Sequence, residues 1–176
     1  GTGTGGSRLV TGTSNLHYEL EKKIADFKNT KSSLVFSSGY LANIGTISAI
    51  MSPKDIIFSD ELNHASLIDG ARISKAKIVI YKHCDMKDLE KKLKLASTKK
   101  NIRKMILTDS IFSMDGDIAP LDEIVFLSRK YNCITMIDEA HATGVLGKKG
   151  SGASEMFGVE KKIDISPLFE TEKGLA

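Results

Sequence analysis

Short apolar runs rich in β-branched residues recur along the chain and alternate with segments of helical spacing. Such runs are typical of buried strands in a parallel sheet. They predict five strands, at 34–36, 56–58, 78–80, 105–107 and 134–137. A possible sixth strand lies near Ile163 and Ile165.

The segments between these runs have apolar residues every three or four positions, the spacing of one helix face. They predict helices over 16–27, 41–51, 89–96 and 121–128, with Asp85 as a candidate N-cap of the third. Alternating strands and helices predict an α/β fold with a mostly parallel sheet flanked by helices. Ligands of such sheets bind at the carboxyl ends of the strands.

Composition limits the possible partners. The 176 residues include 25 Lys and Arg against 22 Asp and Glu, and 41% are hydrophobic. This balance predicts one globular domain without the basic face that binds nucleic acid. No apolar run is long enough for a membrane span, and residues 1–6 do not resemble a signal peptide, so we expect a cytoplasmic protein without membrane contact. Cys84 and Cys133 lack the spacing of a disulfide framework or a zinc site, and no metal is expected.

The segment 37–40 joins the first predicted strand to its helix. Free backbone N–H groups at a helix start favour an anion, and Gly39 permits close backbone approach beside Tyr40. A phosphate site and an ordinary turn are both compatible with this segment.

The sequence Asp138-Glu139-Ala140-His141 follows the last of the five strands. One interpretation is the metal-binding acid of a helicase-type ATPase, but the chain has no G-x-x-x-x-G-K-[ST] phosphate loop. A second is that Asp138 holds the protonated ring nitrogen of a pyridine cofactor while His141 bonds its phenolic oxygen. A capping or surface role is the third.

Two further polar groups follow strands at the same predicted edge. His64 lies beyond the strand at 56–58, and Ser113 lies beyond the strand at 105–107. Each alone would suggest only a structural histidine or a turn. Because parallel strands place their carboxyl ends together, these residues and Asp138 are expected to share one crevice. His17 and His83 have no comparable setting and are interpreted as structural.

These motifs together resemble the α-oxoamine synthases, a family of pyridoxal-phosphate (PLP) enzymes. The segments 6–11 and 141–147 are most similar to the biotin-pathway branch of that family. The similarity runs from residue 1 to about residue 165, and the segments that carry it are 5–10, 36–43, 62–66, 112–116 and 138–147.

The resemblance implies the large domain of a type I PLP transferase. It implies that Gly39 and Tyr40 cradle the cofactor, that His64 stacks on its ring, and that Asp138 pairs with the ring nitrogen. The resemblance also implies that His64 is a catalytic residue. The residues that it assigns to cofactor binding are Gly39, Tyr40, His64, Ser113, Asp138 and His141.

The activity implied by the resemblance is a PLP-dependent acyl transfer. An amino acid, alanine, condenses with an acyl thioester, pimeloyl-CoA, and loses carbon dioxide on the way to biotin. The complete protein would be a homodimer. Another α-oxoamine synthase, of the 2-amino-3-oxobutyrate or 5-aminolevulinate type, and a non-catalytic remnant are the alternatives.

The family pattern is lost near the end of the chain. Relatives continue from the equivalent of Asp164-Ile165 into a Gly-Thr-x-Ser-Lys segment, whose lysine forms the Schiff base with PLP. Here Lys173 stands within a residue of that position, but the glycine, threonine and serine are missing. We therefore expect 1–165 to be a partial cofactor-binding domain, 166–176 to be a divergent end, and the small C-terminal domain to be absent. The isolated chain is expected to be inactive.

Overall fold

The computed structural model describes residues 5–98 and 101–168, so Lys173 and most of the divergent end lie outside the described residues. The chain divides into two compact units after Phe36. None of the helices among the described residues combines the length and the apolar character that crossing a bilayer would need.

The first unit contains one π-helical turn, Arg8–Gly12, and helix α1, Asn15–Phe27. Helix α1 confirms the predicted first helix. His17 stabilises its start, because the Nδ1 atom accepts from the backbone N–H of Ser14 at 3.2 Å and lies 2.9 Å from the Ser14 hydroxyl. This arrangement is consistent with the structural role expected for His17.

The prediction of a strand at 34–36 is wrong. The backbone of Val35 bonds to side chains instead of to a neighbouring strand. Its N–H donates to Glu21 Oε1 at 2.9 Å, and its carbonyl accepts from Arg8 Nη1 at 2.9 Å. Arg8 and Glu21 are themselves paired at 2.6 Å, so an ion pair takes the place of a strand partner.

The second unit is built on a sheet of four parallel strands in the order β2-β1-β3-β4. The strands confirm the other four predicted runs. Ile165 forms a single parallel bridge with Met136, so the possible sixth strand is an isolated bridge. The strands are β1 Ile56–Asp60, β2 Lys77–Tyr81, β3 Lys104–Asp109 and β4 Ile134–Asp138.

Helices cover this sheet, and most of them follow the predicted pattern. Asp85 caps α4 as expected, since its Oδ1 accepts from the N–H groups of Lys87 and Asp88 at 3.0 and 2.9 Å. Helix α3, directly after β1, was not predicted. The helices are α2 Gly39–Ile50, α3 Ala65–Ile73, α4 Met86–Ala96, α5 Leu121–Tyr131 and the short α6 Ala153–Met156, followed by a 3₁₀ turn at Glu160–Lys162.

The core lies in two layers, one on each face of the sheet. Phe58 and Ile106 point to the layer that contains α4 and α5. Ile57 and Met105 point to the layer that contains α2 and α3. This division follows from the alternation of side chains along each strand. Both faces are thus occupied by packing, which leaves the carboxyl edge for polar groups.

Candidate functional site

Three buried carboxyl groups end three of the strands. Asp60, Asp109 and Asp138 are the last residues of β1, β3 and β4, and each is at most 5% exposed. Asp109 lies directly opposite Asp138 in the parallel register. Burial, with the added charges of Asp138 and Asp60, raises the pKa of Asp109 to about 7. The carboxyl edge of the sheet therefore holds closely spaced carboxyl groups in a desolvated setting.

The Asp138 carboxylate is held on both oxygens. Its Oδ2 accepts from Asn43 Nδ2 at 2.7 Å, and its Oδ1 accepts from the N–H of Ala140 at 2.9 Å. Burial raises the pKa of Asp138, although these two bonds and the imidazoles of His64 and His141 favour its charged form. The group is fixed in position, but its charge is incompletely compensated.

A chain of hydrogen bonds runs from Asp138 to His64. Asn43 Nδ2 also lies 2.9 Å from Ser66 Oγ, and Ser66 Oγ lies 2.8 Å from His64 Nδ1. The backbone N–H of His64 donates to Asp109 Oδ2 at 2.7 Å. His64 is therefore fixed through both its ring nitrogen and its backbone N–H. Two predicted site residues, His64 and Asp138, belong to one network.

Asn43 leaves one polar atom unused in this network. The residue is fully buried in α2, and its Oδ1 has no hydrogen-bond partner in the part of the chain that the structure describes. An unsatisfied buried acceptor is costly, so a donor for it would come from outside the described residues. This acceptor belongs to the residue that bonds Asp138.

The start of α2 contains the predicted anion site. Ser38 caps the helix, since its Oγ accepts from Leu41 N at 3.2 Å and its carbonyl accepts from Ala42 N at 3.0 Å. The N–H groups of Gly39 and Tyr40 precede the hydrogen-bonded ladder, as in the first turn of any helix. The Tyr40 hydroxyl donates to Asp69 Oδ2 on α3 at 2.9 Å. Phosphate binding at this turn stays a prediction.

The residue after Asp138 has a different task. The Glu139 carboxylate accepts from the Ser154 N–H at 2.7 Å and lies within 3.1 Å of the hydroxyls of Ser154 and Ser166. Gly152 has φ of +119°, and a Cβ there would meet the Glu139 carboxylate at 2.7 Å. Glu139 thus anchors the segment after β4, whereas Asp138 faces the Asn43 network.

His141 and Ser113 lie in the loops that follow β4 and β3. His141 is exposed in the turn after Asp138, close enough to affect the pKa of that carboxyl. Ser113 is exposed in a turn closed by the bridge between Ile111 and Ile118. Within the described ranges, hydrogen bonds link His64 to Asp138 but do not link either residue to Ser113.

Sequence analysis missed three residues of the network, namely Asn43, Ser66 and Asp109. Asp109 could have been found, because it lies two residues beyond the predicted strand at 105–107, whose carboxyl end was expected at the same edge as Asp138. Asn43 and Ser66 lie inside helices, where a polar residue gives no local sign that it contacts a residue far along the chain.

The fold and the site define an α/β protein with a ligand site at the carboxyl edge of a parallel sheet, built around a buried carboxylate and an anchored imidazole. The family described as aminotransferase class I and II matches residues 2–169. The chain belongs to this family, which confirms the expected fold class.

Individual relatives indicate which members of the family the chain resembles. The chain is 57% identical over 166 residues to a putative 8-amino-7-oxononanoate synthase of Acetivibrio thermocellus, covering 94% of the chain and 42% of that protein. The serine palmitoyltransferase of S. paucimobilis, solved with PLP and myriocin bound, is 38% identical with a TM-score of 0.88, covering 94% and 41%. The 8-amino-7-oxononanoate synthase of Francisella tularensis is 33% identical with a TM-score of 0.68, covering 88% and 41%.

These relatives confirm the resemblance to the α-oxoamine synthases. The chain spans less than half the length of each of them. What the relatives bind and catalyse is therefore a guide to proposals about the whole protein.

Proposed function

We propose that the chain is the PLP-binding part of an acyltransferase that condenses alanine with a pimeloyl thioester and releases carbon dioxide, as in biotin synthesis. The similarity to 8-amino-7-oxononanoate synthases supports this assignment. The observation that carries it is the buried Asp138, fixed by Asn43 and joined through Ser66 to His64.

The polar groups of this site fit the cofactor. A buried carboxylate needs a compensating positive charge, and a protonated pyridine nitrogen provides one through a charge-assisted hydrogen bond. Asp138 has that need, since burial raises its pKa despite the bonds that it accepts. The unpaired Oδ1 of Asn43 adds an acceptor on the neighbouring residue. When bound, PLP supplies an electron sink for a carbanion at the amino acid Cα atom.

Residues of the chain itself would bind the cofactor and orient it. Asp138 would keep the ring nitrogen protonated, and His64, which Asp109 and Ser66 hold in place, would stack on the ring. His64 is also the proposed catalytic residue. The N–H groups of Gly39 and Tyr40 bind the phosphate at the start of α2.

Ser113 and His141 would donate to the phenolic oxygen of the cofactor. Both lie on loops that leave the carboxyl edge, where ligands of parallel sheets bind. The resemblance to α-oxoamine synthases also supports a homodimer and a cytoplasmic location. The proposed boundary between a cofactor-binding part at 1–165 and a divergent end at 166–176 rests on the same resemblance.

A second candidate is another α-oxoamine synthase with a different amino acid. The TM-score of 0.88 to serine palmitoyltransferase favours keeping it. Both candidates use the same cofactor site and differ only in the substrates.

The test is an assay of the whole protein with PLP and pimeloyl-CoA, supplied with alanine, glycine or serine in turn. Release of free coenzyme A and the mass of the product are followed, with Asp138→Asn as the matched control. We expect release with alanine and a severe loss in the control. Faster release with serine or glycine would favour the second candidate. A protein that neither changes the PLP absorbance nor releases coenzyme A would refute the proposal.

A further inference from the structure

A second polar network lies beside the proposed cofactor site and is not used by it. The His83 ring is placed between two carboxylates: Nδ1 is 2.9 Å from Asp60 Oδ1, and Nε2 is 3.1 Å from Asp117 Oδ2. A neutral imidazole has one N–H and could donate to only one of them. Two carboxylate partners therefore require the imidazolium.

Both carboxylates belong to segments that carry proposed site residues. Asp60 ends β1, and its Oδ1 also accepts from the N–H of Leu62, at the start of the loop that leads to His64. Asp117 closes the turn that carries Ser113, because its carbonyl accepts from the N–H of Phe112 at 3.0 Å. His83 thus lies between the two loops.

The ring of His83 also touches the other end of the Ser113 turn. Its edge-to-face contact with Phe112 has a centroid distance of 4.4 Å and an interplanar angle of 89°. Phe112 and Asp117 are the two residues that bracket the turn. One side chain consequently contacts both ends of a turn whose tip is exposed.

We infer that His83 is a positioning residue: as an imidazolium, it ties the turn that carries Ser113 to the end of β1 through Asp117 and Asp60. This inference rests on the proposed function only where it assigns Ser113 to the cofactor. The tie itself is a property of the chain without any ligand.

The charges around His83 support the protonated form. Burial opposes the charge, but the hydrogen bonds and the negative charges of Asp60 and Asp117 together raise the pKa of His83. The other titratable groups nearby are Cys84, whose N–H bonds Asp60, and Glu61, whose Oε1 accepts from the His83 N–H at 2.8 Å. Since the pKa of His83 is raised in the folded protein, the tie is fully formed below the ordinary imidazole pKa while Asp60 and Asp117 are ionised, and it is lost as the pH rises through the folded value.

Hydrogen bonds account for this cluster better than a metal ion does. Asp60, His83 and Cys84 do place potential ligand atoms within 4.8 Å of one another. Both oxygens of Asp60 already accept hydrogen bonds, however. Burial, with the charges of Asp60 and Asp117, also raises the pKa of the Cys84 thiol to about 11, which disfavours the thiolate that a metal needs.

The first test measures hydrogen exchange over 110–118 in the whole protein without cofactor. Asp117→Asn removes the charge but keeps a carbonyl oxygen, and Asp115→Asn is the control in the same exposed turn. We expect exchange in Asp117→Asn to be roughly two- to fivefold faster, the range for a partly exposed ion pair, and exchange in the control to be unchanged. After correction for intrinsic exchange rates, the exchange rate of the parent should approach that of Asp117→Asn as the pH rises. Equal exchange in both variants, or a difference that is constant with pH, would overturn the inference.

The second test asks whether the tie acts through Ser113. PLP affinity is measured for Ser113→Ala, Asp117→Asn and the double variant. We expect Asp117→Asn to weaken binding in the parent and to have no effect in the Ser113→Ala background. An equal effect in both backgrounds would show that Asp117 does not act through Ser113. A parent that binds no PLP would refute the proposed function, and the exchange experiment would still decide on the tie.

Discussion

Replacing Asp138 with asparagine is expected to remove the cofactor function while leaving the fold intact. The new amide can keep the hydrogen bond from Ala140 N on its oxygen. Its NH₂ group would face the NH₂ of Asn43, but a flip of the Asn43 amide turns the unpaired Oδ1 toward it. The flipped oxygen can also accept from the Ser66 hydroxyl. The flip thus keeps the bonds of Asn43 to residues 138 and 66, but it moves the Asn43 NH₂ to the buried position where the oxygen has no partner among the described residues.

The expected change in the stability of Asp138→Asn combines two opposing effects. Because the pKa of Asp138 is raised in the folded protein, ionising this carboxyl costs stability as the pH rises above its ordinary value. The asparagine side chain does not carry that cost, but the flipped Asn43 NH₂ loses its acceptors at about 1 to 3 kcal/mol, so at pH 7 Asp138→Asn should unfold near the denaturant concentration of the parent. Asp138→Ala instead leaves one N–H of Asn43 and the N–H of Ala140 without an acceptor. At about 1 to 3 kcal/mol for each unsatisfied group, it should lose several kcal/mol.

The loss of cofactor affinity can be estimated from one bond. A hydrogen bond between charged groups contributes about 1.5 to 3 kcal/mol. This range corresponds to roughly 10- to 150-fold weaker PLP binding, and turnover should fall further because the ring nitrogen loses its proton partner. The assays are a PLP titration followed by absorbance, free coenzyme A release and denaturant unfolding. Unchanged PLP affinity and turnover within twofold of the parent, in a protein that is still folded, would refute the role of Asp138.

Three other substitutions test the surroundings of the site. Gly70→Ala would place a Cβ 2.7 Å from Ile47 Cδ1 and 3.3 Å from the Asn43 carbonyl, so we expect a net loss of about 1 kcal/mol in denaturant unfolding; a gain would contradict the tight approach of α2 and α3. Gly39→Val should weaken PLP binding about tenfold by keeping the phosphate from the backbone of α2, and an unchanged titration would place the phosphate elsewhere. Asp109→Asn should stabilise the protein more at pH 8 than at pH 5, because the folded carboxyl keeps its proton up to a pKa of about 7 while the unfolded one ionises near 3.8; an equal effect on unfolding at both pH values would show that Asp109 is not desolvated.

The sequence determined the elements that depend on neighbouring residues. Four buried strands were predicted because each is a continuous apolar run, and the helices were predicted because apolar residues repeat along one face. The strand at 34–36 was wrong for a related reason. An apolar run shows that a segment can be extended, but a strand also needs a partner, and the ion pair of Arg8 and Glu21 occupies the backbone of Val35.

The sequence also predicted that His64 and Asp138 follow strands at one edge of the sheet, since the order of strands and loops fixes which residues follow each strand. His64 and Asp138 were expected in one crevice, and a chain of hydrogen bonds joins them. The sequence did not show that Glu139 anchors the segment after β4 instead of facing the Asn43 network. Successive side chains of an extended segment point in opposite directions, so Asp138 meets Asn43 and Glu139 meets Ser154.

Only the tertiary structure decided which distant polar groups meet. Asn43 and Asp138 are separated by 95 positions, and His83 and Asp117 by 34. A hydrogen bond depends on distances of about 3 Å, and the path of the chain between two such residues sets those distances. Local pattern cannot supply that path. For this reason a buried asparagine within a helix was missed, and the two carboxylate partners of His83 could not be named.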